Sequence, residues 1–347
     1  MKILVTGGAG YVGSACLRYL LAHDCDALAF DNLSQGHAEA VPEGKLIVGD
    51  IADTAALTKA LRDFRADAVM HFAAASCVGE SVQNPEYHYR NNIDGTRSLL
   101  TAMQAAGVKR ILFSSTCATY GLTPKIPMAE DSPQDPCSPY ARTKLVVEWM
   151  IRDFAAAYGF GFTLLRYFNA AGGSPDGKHG EDHKDENHLI PVVLQVPLGK
   201  RAKVLVFGKD YPTPDGTCVR DYVHVDDLAQ AHLLAIRATT PSTAQVYNIG
   251  TGVGNSVLEI IRACEKVTGH RVPYEVVDRR AGDAPALVAS PERLKSELGW
   301  RPKYANICDV IQTAWDWHKL HPAGYVGDPE PEESESAVEG RPPKTRS

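Results

Sequence analysis

Tyr140 and Lys144 stand four residues apart in SPYARTK, a spacing that puts both side chains on one face of a helix. A phenol with a pKa near 10 is a poor base at neutral pH, and a neighbouring ammonium is expected to draw that value down. Upstream, the apolar stretch RILFSST ends in Ser114, Ser115 and Thr116, where a hydroxyl can bridge the phenol and a substrate oxygen. No G-x-S-x-G or comparable base-paired nucleophile motif accompanies them. The chemistry indicated is hydride transfer, with the tyrosine exchanging a proton.

Hydride transfer needs a carrier, and the first residues supply a place for one. Gly7, Gly10 and Gly13 lie between a strand-like KILVTG and a helical pattern beginning at Tyr11. Gly7 permits a tight turn, Gly10 lets backbone approach a pyrophosphate, and Gly13 lets helix and strand pack closely, with phosphates meeting the helix N-terminus. Asp31, at the end of the second strand-like run, is placed to accept from the adenosine ribose and to repel a 2′-phosphate, which predicts NAD over NADP. The alternative for Asp31 is a turn cap within DNLS. Asp50 and Ile51 resemble a base-contacting pair, with capping the alternative for Asp50.

The elements that must position these residues form a recurring pattern. Apolar runs begin at Lys2, Asp26, Lys45, Ala68, Arg110 and Phe162, separated by helical stretches after Tyr11, Thr54, Pro85 and Pro139. Alternation of this kind predicts an α/β, Rossmann-type doubly wound parallel sheet, buried on both faces. Beyond Ala170 the pattern loosens into AGGSPDGKHGEDHKDEN, a helical HLIPVVLQVPLG, a strand-like KVLVF, VYNIG from Val246 and a helix after Asn255. We expect an NAD-binding domain over 1–169 with later crossings at about 222–251, and a smaller, discontinuous substrate lobe over 170–327. Residues 328–347, rich in Pro and Glu, are expected to be a disordered acidic tail.

The 347 residues carry 36 Lys and Arg against 42 Asp and Glu, a net charge of −6, with 44% hydrophobic residues. That balance argues against a broad nucleic-acid or anionic-membrane surface. Six acids of the tail (Asp328, Glu330, Glu332, Glu333, Glu335, Glu339) oppose three bases, so half of the excess is local. Eight scattered cysteines without Cys-x-x-Cys predict reduced thiols in a cytoplasmic protein. The sequence starts directly in a strand, no run reaches membrane-spanning length, and no membrane association is expected.

The segments VTGGAGYVGS, FDNLSQG, HFAA…VGESV, YRNN, SPYARTK, RYFNAAG, HLIPVV, FGKDYPTPDGTCVRDYVHVDDLA, YNIGTGVGNSV and RRAGDAPALVA together resemble an extended short-chain dehydrogenase/reductase, specifically the UDP-glucose (UDP-galactose) 4-epimerase family, from Met1 to about Gly327. The resemblance implies NAD as cofactor, a UDP-hexose as substrate, transient oxidation at sugar C4 and a homodimer packed through the helices after Pro85 and Pro139. It implies Tyr140 as acid/base, Lys144 as its electrostatic partner and Thr116 as the bridging hydroxyl. Cofactor contacts fall on Gly7, Gly10, Tyr11, Val12, Gly13, Asp31, Asn32, Asp50, Ile51, Phe72, Ala73, Ala74, Asn92, Ser114, Tyr140, Lys144 and Tyr167. Substrate contacts fall on Thr116, Tyr140, Asn169, His188, Leu189, Leu205, Phe207, Arg220, Arg280, Asp283 and Leu287. Ser76 departs from relatives that carry a cofactor-reaching lysine there. Relatives acting on UDP-N-acetylhexosamines, UDP-pentoses or UDP-glucuronate share most motifs, and from a different class stands a non-catalytic NAD-binding scaffold.

Two arginines suit a diphosphate, since guanidinium forks pair with phosphate oxygens. Phe207 suits a uracil ring and Asp283 ribose hydroxyls. Read alone, Arg220 is an ion-pair partner of Asp221 or Asp226, and Phe207 a core aromatic. The run Glu181-Asp182-His183…Asp185-Glu186…His188 lacks fixed helical histidine spacing and is read as solvated loop, with no metal expected. His71 is expected to satisfy backbone groups, and Tyr87-His88-Tyr89 and Trp315-x-Trp317 to pack helices.

Overall fold

The computed structural model describes residues 1–122, 125–280 and 282–325; the tail expected to be disordered lies outside them. The first half runs β1 (Lys2–Thr6), α1 (Tyr11–Leu21), β2 (Asp26–Asp31), β3 (Leu46–Val48), α2 (Thr54–Phe64), β4 (Ala68–His71), α3 (Val78–Gln83), α4 (Pro85–Tyr89), α5 (Gly95–Ala106), β5 (Arg110–Thr116), α6 (Pro139–Tyr158) and β6 (Gly161–Tyr167). The second runs β7 (Asn169–Ala171), α7 (Leu189–Leu194), β8 (Val204–Phe207), β9 (Val219–His224), α8 (Val225–Ala238), β10 (Ala244–Ile249), β11 (Gly254–Ser256), α9 (Val257–Thr268), β12 (Tyr274–Val277), β13 (Ala286–Leu287), α10 (Glu292–Leu298) and α11 (Ile307–Leu320).

Seven strands form one parallel sheet in the order β10-β6-β5-β4-β1-β2-β3. Its apolar strands are buried on both faces: α1 and α8 cover one side with Leu17, Leu20, Leu228 and Ile236, and α2, α5 and α6 cover the other with Leu57, Leu99, Met103, Val147 and Ile151. The order reverses between β1 and β4, which opens a crevice at the carboxyl ends of the strands, where ligands bind in sheets of this kind. Thr6, Asp31, His71, Thr116 and Tyr167 all end strands on that edge.

Smaller sheets carry the rest. β11, β9, β13 and β7 associate, and β8 pairs with β12. Their core joins Val193, Val204, Ile260, Ile261, Val310 and Ile311. Meanwhile β10 returns to the edge of the large sheet beside β6.

Three elements add local detail to the expectation. The helix expected after Asn255 is preceded by β11 and starts at Val257, because Ser256 caps it in a reciprocal pair with Glu259. The helix within HLIPVVLQVPLG closes at Leu194, and the following turns end at Gly199, whose φ of 74° suits glycine. The helix after Pro85 is broken by a π-helical turn over Arg90–Asp94 before α5 continues; such turns concentrate at functional sites. Among the described residues no helix is long and apolar enough to cross a membrane.

Candidate active site

The turn after β1 fits a dinucleotide. Gly7 has φ 72°, and a Cβ there would lie 2.4 Å from the Ala73 nitrogen, so the loops after β1 and β4 touch. A Cβ on Gly13 would lie 2.0 Å from the Gly7 carbonyl oxygen. Gly10 is different: its Cβ position meets only the Gly7 oxygen at 3.5 Å. The protein itself tolerates a side chain at Gly10, and what its absence leaves is room against the backbone. Gly10 also caps α1 without a side-chain hydrogen bond, leaving the first N–H groups to an anion.

Asp31 serves this turn from the next strand. Its carboxylate accepts from Ala9 N at 3.0 Å and Leu33 N at 2.9 Å, so the capping alternative holds. Each carboxylate oxygen retains a lone pair for a hydroxyl. Asp50 likewise caps Ala52 N at 2.8 Å, accepts from Asn32 at 3.0 Å and precedes the buried Ile51.

Ser138 caps α6 by accepting from Ala141 N, and Pro139 opens the helix with φ preset. Tyr140 and Lys144 follow one turn apart. Lys144 is 3% exposed, donates to the Ser114 carbonyl at 2.9 Å and lies 4.9 Å above the Phe113 ring. Burial pulls its pKa down to about 7. Its Nζ lies 6.0 Å from the centre of the Tyr140 ring. Tyr140 is pushed up to about 12 by burial, against the opposing pull of a hydrogen bond with Thr116. This corrects the expected depression: with the ammonium held against the Ser114 carbonyl, desolvation of the phenol outweighs attraction.

Neighbouring groups fix this pair. The Ser114 hydroxyl bonds the Tyr167 phenol across the β5–β6 pairing. Asn92, delivered by the π turn and 2% exposed, bonds both the N–H and the carbonyl of Ala75 and donates to Thr143 Oγ1 at 2.9 Å. The loop containing Phe72, Ala73 and Ala74 is thereby tied to the helix of Tyr140. Ser76, just beyond, is exposed.

Sequence reasoning missed Glu148 and Arg166. Tyr140, Lys144 and Glu148 occupy i, i+4 and i+8 of α6; Glu148 accepts from Ser115 Oγ and pairs with Arg166 at 2.6 Å, both side chains at most 3% exposed. Arg166 also donates to the Tyr120 hydroxyl, which bonds Asn248 on β10. A charge inside FTLLRYFN was the available signal, since a buried arginine demands an acid partner.

Beyond Thr116 a second group assembles. Arg220 on β9 donates to the carbonyls of Val219 and Ala284 and lies 3.7 Å from Asp283. Arg280 donates to the same carboxylate at 3.1 Å, with its guanidinium 4.6 Å from the Phe207 ring centre. Asp283, not Asp221 or Asp226, is thus the partner of Arg220. Asp221 instead accepts from Thr251, Gly252 and Ala289 N–H groups. Phe207 is half-buried beneath a cation rather than in the core, on the same strand face as the exposed Leu205. Leu287, opposite Arg220, packs with Cys117 and Phe168, and Asn169 donates to the Asp221 carbonyl. Cys117, adjoining Thr116, packs in the small apolar cluster that Leu287 joins opposite Arg220, which links the two groups.

The loop before α7 meets the N-terminus of α3. Asn187 donates to Cys77 Sγ, and His188, half-exposed, precedes Leu189 at the start of α7. The expected solvated character fails here, because the side chains of Glu181 and Glu186 are 5% and 8% exposed and face His183 and His188. His71 bonds the Thr6 and Thr96 hydroxyls rather than backbone, and burial takes its pKa to about 3, leaving it neutral. Trp315 and Trp317 pack on α11 as expected.

A nucleotide turn joined to a Tyr-x-x-x-Lys helix defines an NAD-dependent enzyme of the reductase/epimerase class, and the comparisons agree. The profile described as "NAD dependent epimerase/dehydratase family" matches residues 3–250. The sequence is 48% identical to a UDP-glucose 4-epimerase of Halalkalibacterium halodurans over 94% of this chain and 98% of that one. It is 49% identical to a UDP-glucose 4-epimerase of Lactobacillus helveticus over 94% and 99%. The crystal structure of UDP-glucose 4-epimerase from Brucella ovis in complex with NAD superposes with a TM-score of 0.87 at 44% identity, covering 90% of this chain and 97% of that one. The chain belongs to the NAD dependent epimerase/dehydratase family and, within it, to the UDP-glucose 4-epimerases.

Proposed function

We propose that this enzyme interconverts UDP-galactose and UDP-glucose, with Tyr140, Thr116 and Lys144 at the reacting carbon and Arg220, Arg280, Phe207 and Asp283 on the UDP. The glycine turn and Asp31 would hold NAD, which would supply the acceptor and donor of hydride for sugar C4. Tyr140 takes the C4 hydroxyl proton as that carbon is oxidised and gives it back as the 4-keto sugar is reduced on its opposite face. Thr116 holds the oxygen and draws the phenol towards phenolate, and Lys144 stands one helical turn away as its electrostatic partner. The two arginines anchor the diphosphate while the sugar turns. Asn169, His188, Leu189, Leu205 and Leu287 wall the sugar and uridine sides.

The observation that carries this reading is the meeting of Tyr140 and Thr116 at the end of β5, where the threonine hydroxyl opposes the burial-driven rise of the phenol's pKa, with Lys144 held by the Ser114 carbonyl two residues back along the strand. Proton NMR of the purified enzyme with UDP-galactose is expected to show UDP-glucose appearing without added NADH; a purified protein that holds NAD yet turns over no UDP-sugar overturns the reading in favour of a scaffold.

Homodimer formation is supported by Trp149, 54% exposed on α6, with Tyr89 of α4 and Val82 of α3 also exposed nearby in a three-helix layer. Light scattering is expected to give twice the 37.6 kDa chain mass. Eight unpaired cysteines support a cytoplasmic location.

A further inference from the structure

The loop between β7 and α7 folds four donor side chains onto one point. One ligand atom from each of Glu181, His183, Glu186 and His188 lies within 4.8 Å of the other three. Both histidines present Nδ1. His183 Nδ1 is 3.1 Å from Glu186 Oε2 and 3.6 Å from Glu181 Oε1; His188 Nδ1 is 2.8 Å from Glu181 Oε1 and 3.2 Å from Glu186 Oε1. A tetrahedral ion with ligands at about 2.0–2.1 Å has edges of about 3.3–3.4 Å between its donors. The four nitrogen–oxygen separations bracket that length, with Glu181 presenting Oε1 to both histidines and Glu186 presenting Oε2 to His183 and Oε1 to His188.

We propose that Glu181, His183, Glu186 and His188 bind one divalent first-row cation of the zinc class, which locks this loop beside the nucleotide turn. Two imidazole nitrogens and two carboxylate oxygens suit zinc better than magnesium or calcium, which favour oxygen alone. The surrounding backbone is preorganised for it. Glu186 Oε1 accepts from the His188 N–H at 2.7 Å, which aims the carboxylate. Just before Glu181, Gly180 N donates to the Tyr325 hydroxyl, and His179 bonds Ser14 Oγ at 2.8 Å and the Tyr11 carbonyl at 2.9 Å. Asp182, between two ligands, accepts from Tyr325 N at 2.9 Å. The His183 ring lies edge-on to Tyr11, 6.4 Å between centres. The site stands on these contacts and not on the epimerase reading.

The test uses the full chain, tag removed, purified without chelator with its NAD retained, then incubated with zinc chloride and desalted. Elemental analysis is expected to find about one zinc per chain, and His183→Asn and Glu181→Gln are each expected to bind zinc at least about tenfold more weakly. EDTA is expected to lower the melting temperature of the unaltered chain and to leave that of either variant unmoved. Cobalt in place of zinc is expected to give tetrahedral visible bands without thiolate charge-transfer absorption. Failure to retain zinc, with a melting temperature indifferent to EDTA, overturns the proposal in favour of histidine–carboxylate pairs alone. Equal zinc retention by both variants, or a thiolate band, overturns it in favour of the cysteines. If a variant fails to fold, the EDTA response and cobalt spectrum of the unaltered chain decide.

Discussion

Lys144 Nζ donates to the carbonyl oxygen of Ser114, two residues before Thr116, and this contact holds a nearly inaccessible amine at the end of β5. Burial lowers its pKa to about 7, below the unfolded value near 10.5. Below pH 7 both states bind the proton and the folded state bears the full desolvation cost. Between pH 7 and about 10.5 only the unfolded state holds it, so stability attributable to this group rises with pH. Lys144→Met is therefore expected to stabilise the protein at pH 6, by up to a few kcal/mol, and progressively less towards pH 10, as read by urea unfolding at each pH. A pH-independent difference would contradict this.

Tyr140→Phe removes the proton carrier while keeping the ring. Turnover of UDP-galactose is expected to fall by about 10²–10⁴-fold, with UDP affinity by calorimetry unchanged. Retention of most activity would remove Tyr140 from the acid/base role.

Gly10 and Gly13 separate ligand room from structural room. Gly10→Ala is expected to fold with normal stability, because its Cβ meets ordinary contact at 3.5 Å, yet to lose NAD affinity. Gly13→Ala drives a Cβ to 2.0 Å from the Gly7 oxygen and is expected to destabilise by about 1–3 kcal/mol or more as well. Thermal unfolding with and without NAD distinguishes the two.

The two arginines on Asp283 differ in burial, with side chains 16% exposed for Arg220 and 59% for Arg280. Arg280→Ala is expected to weaken UDP-sugar binding roughly ten- to a hundredfold, the loss of one or two charged hydrogen bonds, without altering stability. Arg220→Ala is expected to lose stability too, since it strands the carbonyls of Val219 and Ala284. Steady-state KM alongside urea unfolding reads both.

Breaking the buried Glu148–Arg166 pair with Arg166→Met leaves an uncompensated carboxylate, expected to cost about 3–5 kcal/mol. The double replacement Glu148→Leu/Arg166→Met is expected to cost less than the single one, measured by denaturant unfolding.

Legibility tracked the range of the interactions. RILFSST forms β5 over the residues anticipated, and the glycine turn and the helix from Pro139 stand where local signals put them. Apolar patterning and caps act within a few residues, so sequence displays them. The partner of Arg220 was misread because an acid one position along the chain points to the other strand face, whereas Asp283 approaches from another loop. The phenol's titration was misjudged because helical spacing shows proximity to an amine but not how dry the site is. Glu181 to His188 read as solvated because nothing local reveals that Tyr11, Trp317 and Tyr325 close over that loop.

The Tyr11 hydroxyl reaches from the first helical turn to the Gly172 carbonyl at 2.6 Å, 161 residues away. The first turn of α1, beside the pyrophosphate cradle, is therefore fastened to the strap that leads towards α7. A ligand that orders this turn is expected to order the strap as well, and ordering of the strap to favour that ligand equally, by mutual linkage. An enzyme that must keep its coenzyme through two opposite half-reactions gains from such a latch.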